Sequence, residues 1–313
     1  MQKFLDLSKQ FEGSDFVIDE ADLKFDKKLG DGASGTTFLG HFNGQKVAIK
    51  VYSAAILKND FNSVKNELQI MSKMRHKNIV HFKGLYIRKD PPGAALVTSF
   101  AERGELGHAL YSSRLVRRKG DALRFKIVLG LAEGLKYLHS NDVIHRDIKP
   151  ANILLDDDNE PMLTDFGFSR FIDHDQNRQM TGETGSYRYM APEVTSHSRY
   201  TEKADTYSFA LICNEIFMDE RPFEYQISLV VARDVVKKNL RPSQKKIKND
   251  RLKTIIARCW DPNPELRPEW DEVISELKAA QIEIQTRKSK SAISSLFKKK
   301  AGSASSSSSG HML

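Results

Sequence analysis

His145-Arg146-Asp147-Ile148-Lys149-Pro150-Ala151-Asn152 (145–152), with Asp165-Phe166-Gly167 (165–167) shortly after it, decides how this chain reads. Asp147, Lys149, Asn152 and Asp165 fall on loops around short strand-like pieces, where a scaffold commonly displays functional groups. Asp and Asn oxygens suit Mg²⁺, a hard cation that prefers oxygen ligands and usually arrives with phosphates. Either stretch alone reads equally well as turn-forming polar residues. Their joint occurrence in this order does not.

Two upstream features fit a phosphate-bearing ligand. Leu29-Gly30-Asp31-Gly32-Ala33-Ser34-Gly35 is a GxGxxG between two strand-like segments. Glycines permit close backbone approach to a phosphate, whose charge main-chain N–H groups can meet. No helix follows, so the dinucleotide reading fails, and alone the motif is a glycine-rich hairpin. The next segment alternates, with Val47, Ile49 and Val51 on one face and Ala48 and Lys50 on the other. Residues 61–75 carry a helical stripe of Phe61, Val64, Leu68, Met71 and Met74, and Glu67 sits on that stripe. A carboxylate there is costly unless paired. Lys50 is the economical partner, and the pair would fix the lysine head near the glycine loop.

The chain around these motifs changes type partway. Strand-like pieces at 79–87 and 94–100 flank the turn Asp90-Pro91-Pro92-Gly93. From 121 onward helices dominate, with Leu123, Ile127, Leu131, Leu135 and Leu138 at helical spacing. A strand-rich part and a helix-rich part predict two lobes joined near 100–105. Residues 1–20 read as a lead-in without a firm period, 21–280 as the folded part, and 281–313 as a disordered Lys/Ser-rich tail. Ile293, Leu296 and Phe297 beside Lys298–Lys300 could touch an anionic membrane as a basic amphipathic turn. Such a short isolated helix is marginal, so a solvated tail is the preferred reading. Asp156-Asp157-Asp158-Asn159 reads as a polar hairpin turn rather than half a calcium loop.

The 313 residues are 40% apolar and 29% charged, enough for a sizeable core. No apolar run reaches the roughly 18–20 residues that span a bilayer. Asp6 and Lys9 stand where a signal peptide would need an apolar stretch. Cys213 and Cys259 form no CxxC pair, which predicts free thiols and a reducing, cytoplasmic setting. The nine histidines include no HExxH, which argues against zinc. The net charge of +8 is concentrated in 281–313, with six basic residues and one acid; 1–280 carries only +3. That distribution argues against a nucleic-acid partner.

Taken in order, these motifs resemble the protein-kinase family over about residues 23–280: GxGxxG, VAIK, Glu67, HRDIKPAN, DFG and Ala191-Pro192-Glu193. GSYRYMAPEV and Cys259-Trp260-Asp261-Pro262 resemble most the tyrosine-kinase-like group, whose members mostly phosphorylate serine and threonine. The resemblance implies an α+β bilobal fold. A small antiparallel-sheet N-lobe with one main helix (about 21–100) would precede a larger, mostly helical C-lobe (about 105–280). It further implies an ATP- and Mg²⁺-dependent serine/threonine kinase acting in signalling, with Mn²⁺ as a substitute metal. Its partners would be protein substrates, and an upstream kinase or the chain itself would act on its activation segment. A pseudokinase scaffold is the rival reading. Loss of Lys50, Asp147, Asn152 or Asp165 would mark one, and all four are present.

Carried over by that resemblance, Gly30, Gly32 and Gly35 cover the ATP phosphates, and Lys50, held by Glu67, grips them. Asp147 orients the substrate hydroxyl, Lys149 neutralises the transferred phosphoryl, and Asn152 and Asp165 hold the metal. Ala48 and Leu154 sandwich adenine beneath Thr37, Thr98 is the gatekeeper, the hinge runs near Phe100 and Ala101, and Glu105 reaches the ribose. Asp205 and Arg267 are structural anchors, with Arg267 paired to Glu193. Arg146 would receive a regulatory phosphate on Thr181 or Thr184, with Arg170 or Arg178 as a second contact. Ser34, Thr37, Ser99 and Ser186 depart from the commoner residues without removing a group the chemistry needs.

Overall fold

The computed structural model describes residues 16–32, 35–88, 93–172 and 187–305. They form an α+β fold of two lobes, as the motifs predict. The first lobe is a six-stranded sheet in the order β1-β5-β6-β4-β3-β2. Its strands are β1 (Val17–Ile18), β2 (Leu23–Gly32), β3 (Gly35–Phe42), β4 (Gln45–Tyr52), β5 (Phe82–Arg88) and β6 (Gly93–Ser99). All pairings are antiparallel except β1 with β5. Val47 and Ile49 are fully buried in a cluster with Ile18, Leu23, Tyr86, Ala95 and Val97. Their alternation on β4 leaves Ala48 and Lys50 for the opposite face. Helices α1 (Ala54–Asn59) and α2 (Phe61–Lys73) follow β4, and the Ser53 hydroxyl caps α1 by accepting from Ile56 N. Val64, Leu68 and Met71 bury the predicted stripe of α2. Residues 90–92 of the expected proline turn lie outside the described residues.

The second lobe starts after β7 (Gly104–Glu105), with α3 (Leu115–Lys119) and α4 (Asp121–Ser140). Ile127, Leu131, Leu135 and Leu138 of α4 are fully buried. Then come β8 (Val143–Ile144), β9 (Ile153–Leu155), β10 (Pro161–Leu163), β11 (Arg170–Phe171) and α5 (Pro192–Thr195). Helices α6 (Lys203–Met218), α7 (Ser228–Lys238), α8 (Asp250–Cys259) and α9 (Trp270–Ser305) follow. Helix α6 is buried from Ala204 to Met218, so it is a core helix rather than an amphipathic one. Both cysteines are buried free thiols. The acidic run at 156–159 is a hairpin turn: Asp156 Oδ1 accepts from Glu160 N at 2.8 Å between antiparallel β9 and β10. Arg267 meets Glu193 through two bonds of 2.6 and 2.8 Å, as expected, with Arg267 fully buried.

Two boundary expectations need correction. The lead-in is part of the fold from Phe16, since Val17 and Ile18 pair with Leu85 and Tyr86. A two-residue strand has no periodicity to read; its partner supplies the signal. Helix α9 runs past the boundary expected at 280, to Ser305, and residues 306–313 of the expected tail lie outside the described residues. Glu283, the single acid there, accepts from Asn249 and Arg251, and Lys288 reaches Asp121. Adding residues to an anchored helix avoids the nucleation cost that makes an isolated one marginal.

Within the second lobe Glu215 is fully buried, accepting from the hydroxyls of Tyr111 and of Tyr189, the latter at 2.7 Å. Burial, only partly offset by these hydroxyls and by Arg221 and Arg188, pushes its carboxyl up to about 7. A raised folded value contributes stability that is complete below the ordinary 4.5 and lost as pH rises through about 7. Glu215→Gln should therefore flatten the fall in unfolding midpoint between about pH 5 and 8, where the native chain loses roughly 3 kcal/mol. Urea unfolding across that range measures it, and parallel pH curves for both proteins would refute it.

Candidate active site

Strand β4 and helix α2 converge on Lys50. Its Nζ lies 2.8 and 3.0 Å from the two carboxylate oxygens of Glu67 and 3.0 Å from Asp165 Oδ1. The Tyr52 hydroxyl donates to Glu67 Oε2 at 2.9 Å, so the helix carboxylate, 2% exposed, is satisfied from two sides. Burial opposes the charge on Lys50, but Glu67 and Asp165 outweigh it and hold the ammonium above its ordinary value. Burial likewise opposes ionisation of Asp165, yet Lys50, with His145 and Lys149, keeps its carboxyl below the usual range. Tyr52 was legible as a neighbour of Lys50 two positions along one strand face, and sequence reasoning passed over it.

Across the cleft, Asp147 Oδ2 accepts from Lys149 Nζ at 2.6 Å and from Asn152 Nδ2 at 2.8 Å. The same Nδ2 donates to the Asp147 carbonyl at 2.8 Å. Asn152 ends a single helical turn begun by Pro150, and its own carbonyl accepts from Thr164 N. Asp165 takes the left-handed conformation, φ 62°, which carboxylate side chains tolerate better than most. Behind it the buried Phe166 ring packs 5.0 Å from His145, and Ser63 of α2 donates to the Gly167 carbonyl at 2.6 Å. Lys50, Glu67, Asp147, Lys149, Asn152 and Asp165 thus form two hydrogen-bonded groups, one joining β4 and α2 to Asp165 of the second lobe and one wholly within the second lobe.

The remaining predicted positions lie on the strands around these groups and on the segment that joins the lobes. Ala48 pairs with Thr98, Thr37 with both Gly30 and Lys50, and Glu105 with Leu154. Ala101 is buried where β6 gives way to the second lobe. The three loop glycines differ in their reasons. A Cβ on Gly35 would lie 2.3 Å from the Val51 carbonyl oxygen, so the strands' own packing requires glycine there. A Cβ on Gly30 would meet nothing within 4 Å, and one on Gly32 would make ordinary contact. Those two positions leave the backbone open to a ligand, the form a phosphate cradle takes. Asn152 spends Nδ2 on both of its side-chain hydrogen bonds, and the oxygens of Asp165 and Asn152 are of the kind that a hard divalent cation prefers.

Arg146 sits at φ 71°, donates Nη1 to the Phe168 carbonyl at 3.2 Å and lies 5.6 Å over the Tyr200 ring. Thr181, Thr184, Arg178, Ser186 and Ser34 lie outside the described residues.

Because Asp165 is lowered, its contribution is complete above its ordinary 3.8 and lost as pH falls through the folded value. Because Lys50 is raised, its contribution is complete below its ordinary 10.5 and lost as pH rises through the folded value. Lys50→Met should then lower stability by on the order of 3 kcal/mol across about pH 5–9, with the deficit shrinking below about pH 4. Unfolding midpoints of the two proteins against pH measure this, and a deficit that grew in acid would refute it.

Comparison with known proteins agrees with this geometry. The family model described as protein tyrosine and serine/threonine kinase matches residues 23–277. The chain is 37% identical over 268 residues to serine/threonine-protein kinase STY17 of Arabidopsis thaliana, covering 85% of this chain and 46% of that protein. It is 36% identical over 275 residues to serine/threonine-protein kinase STY46 of the same plant, covering 87% and 47%. With serine/threonine-protein kinase TNNI3K of Homo sapiens it shares 32% over 279 residues, covering 87% and 33%. The chain thus spans less than half the length of these relatives. No helix among the described residues is long and apolar enough to cross a membrane.

Proposed function

The chain belongs to the protein kinase family, within its tyrosine-kinase-like group, and from that premise we propose that it transfers the γ-phosphoryl of ATP to serine or threonine hydroxyls of protein substrates. The observation that carries the proposal is the pairing of Lys50 with both Glu67 and Asp165, facing Asp147 held by Lys149 and Asn152. A scaffold without catalysis would have no need to keep both groups in register.

In this reading Gly30, Gly32 and Gly35 place backbone N–H groups over the phosphates, and Lys50 carries its charge to them without losing Glu67. Asp165 and Asn152 Oδ1 are the residues that would hold magnesium, which when bound would supply charge neutralisation to the phosphates. Asp147, with Oδ2 already fixed by two donors, orients the acceptor hydroxyl and takes its proton. Lys149 stands next to the same carboxylate, where it meets charge on the moving phosphoryl. Ala48, Thr37, Thr98, Ala101, Glu105 and Leu154 border the nucleoside. Catalysis of this kind is mainly positioning and charge stabilisation. Lys149, two residues after Asp147, supports serine or threonine as acceptor, as do the printed names of the relatives. The domain is proposed to begin at Phe16, where pairing with β5 starts, and to end within α9.

A regulatory role for Arg146 belongs to the same proposal. Burial and the neighbouring positive charge of Arg146 lower the Arg170 guanidinium, with Asp60 opposing. Two guanidinium groups that repel one another favour an anion between them. A phosphate on Thr181 or Thr184 carries about −1.5 to −2 charges and could accept from both.

Asp147→Asn should cut phosphotransfer to a serine/threonine peptide by about 10²–10⁴-fold with the unfolding midpoint unchanged. A radiolabelled-ATP assay beside thermal unfolding measures both, and comparable turnover by the variant would remove the assignment. A tyrosine peptide as the favoured acceptor would refute the acceptor class. Thr181→Ala/Thr184→Ala should be slow and unresponsive to phosphatase, whereas wild type should lose activity on phosphatase treatment. Equal rates for the double variant and wild type would remove the switch.

A further inference from the structure

The glutamate that holds Lys50 rides on α2, so whatever fixes α2 bears on the site. Its C-terminal turn leaves carbonyls without helical partners, and a cation is favoured there by the helix dipole. Arg75 supplies it: Nη1 donates to the Met74 carbonyl at 2.9 Å and to the Met71 carbonyl at 3.2 Å. Helix α2 ends at Lys73 and Met74 is already extended, so Arg75 lies just past the helix and its side chain returns to the carbonyl of Met71, one turn after Glu67.

Arg75 is an exposed residue, and an exposed arginine ordinarily samples many rotamers. What covers it comes from the N-terminal strand. The guanidinium lies 5.6 Å over the Phe16 ring, within cation–π range. Phe16 is itself held in three ways. Its carbonyl accepts from Leu85 N at 2.7 Å, its ring meets Phe82 at 5.3 Å, and Val17 pairs with Leu85. Gly84 admits the strand, since a Cβ there would lie 2.6 Å from both the Phe16 carbonyl oxygen and Ile18. From the other lobe, the Tyr137 hydroxyl accepts from Arg75 N at 3.0 Å.

We infer that Phe16 and Arg75 are positioning residues: the N-terminal strand pins Arg75 onto the last turn of α2 and so keeps Glu67 at Lys50. The inference rests on the kinase reading for its consequence in catalysis, but not for its consequence in α2. Losing the Phe16 ring frees Arg75, uncaps the helix and lets α2 move away from the cleft. Asp147, Lys149 and Asn152, which face the acceptor in the kinase reading, belong to the other lobe and keep their bonds.

The test uses the full chain with Phe16→Ala, Phe16→Leu, Phe16→Tyr, Arg75→Ala and Arg75→Lys. Leucine keeps apolar volume without a π face, and tyrosine keeps the ring. Hydrogen exchange of the amides from Val64 to Lys73 should quicken in Phe16→Ala, Phe16→Leu and Arg75→Ala, and stay native in Phe16→Tyr. Arg75→Lys should fall between, since lysine retains a charge without the planar donor. In the phosphotransfer assay Phe16→Ala, Phe16→Leu and Arg75→Ala should lose about five-fold in kcat, the worth of roughly 1 kcal/mol, with peptide KM unchanged. Native exchange in Phe16→Leu would overturn the inference, leaving Phe16 as mere packing. A loss in peptide KM at constant kcat would overturn it too. If wild type showed no phosphotransfer, the kinase reading would fail on its own, and the exchange result would still decide the placement of α2.

Discussion

Asp205 is the constraint on which the site depends. It lies in the first turn of α6, 1% exposed, and its two oxygens accept from the backbone N–H groups of His145 and Arg146 at 2.8 and 2.9 Å. Those bonds hold the chain where Arg146 takes φ 71°, a conformation costly for a side chain of that size. The loop carrying Asp147, Lys149 and Asn152 is aimed by that bend. Burial works against the charge on Asp205, and His139 together with His145 outweighs it, keeping the carboxyl below the usual range. Trp270 Nε1 donates to His139 Nδ1 at 2.8 Å, which fixes the tautomer and leaves Nε2 to donate to Asp205 at 3.0 Å. The order of the loop that carries Asp147, Lys149 and Asn152 is thus set from α6 and α9, far from it in sequence.

The sequence carried some of this and lacked the rest for identifiable reasons. Glu67 on an apolar stripe announced its partner because an unpaired carboxylate there is too costly, and Lys50 was the lysine in reach. The alternation of Val47 and Ile49 against Ala48 and Lys50 placed the cleft face for the same reason: period two is local. Asp205 was recognisable as an anchor only through resemblance. Its ligands are backbone N–H groups sixty residues away, and no residue type encodes a main-chain donor. Strand β1 was invisible because two residues cannot alternate, and its evidence lies in the glycine of β5 that makes room for it. The tail helix was invisible in the 281–313 composition because its charges meet Arg251 of α8 and Asp121 of α4, which lie elsewhere in the sequence.

The glycines show where sequence pattern and physical cause part. Three residues of one motif share a spacing and a resemblance-given role, yet Gly35 is required by the carbonyl of Val51 and Gly30 by nothing among the described residues. Exchanging Gly35 for alanine strains the β3–β4 pairing itself. Exchanging Gly30 strains nothing until something approaches the backbone. A motif of uniform appearance therefore mixes a folding requirement with a binding requirement, and only the second speaks to function.

Lys50 is shared, and sharing makes the two lobes answer to each other. One ammonium between Glu67 and Asp165 leaves that cluster with a net charge of −1, while Asp147 with Lys149 is neutral. If α2 withdraws with Glu67, Asp165 alone retains the lysine and the pull of Tyr52 on Glu67 is lost with it. If Asp165 turns away, Glu67 keeps Lys50, but Ser63 loses the Gly167 carbonyl that ties α2 to the same segment. Neither carboxylate can leave without breaking a bond made by the other's element. The residual negative charge is what a hard cation would complete, so the metal the site suits would also lock the arrangement that receives it.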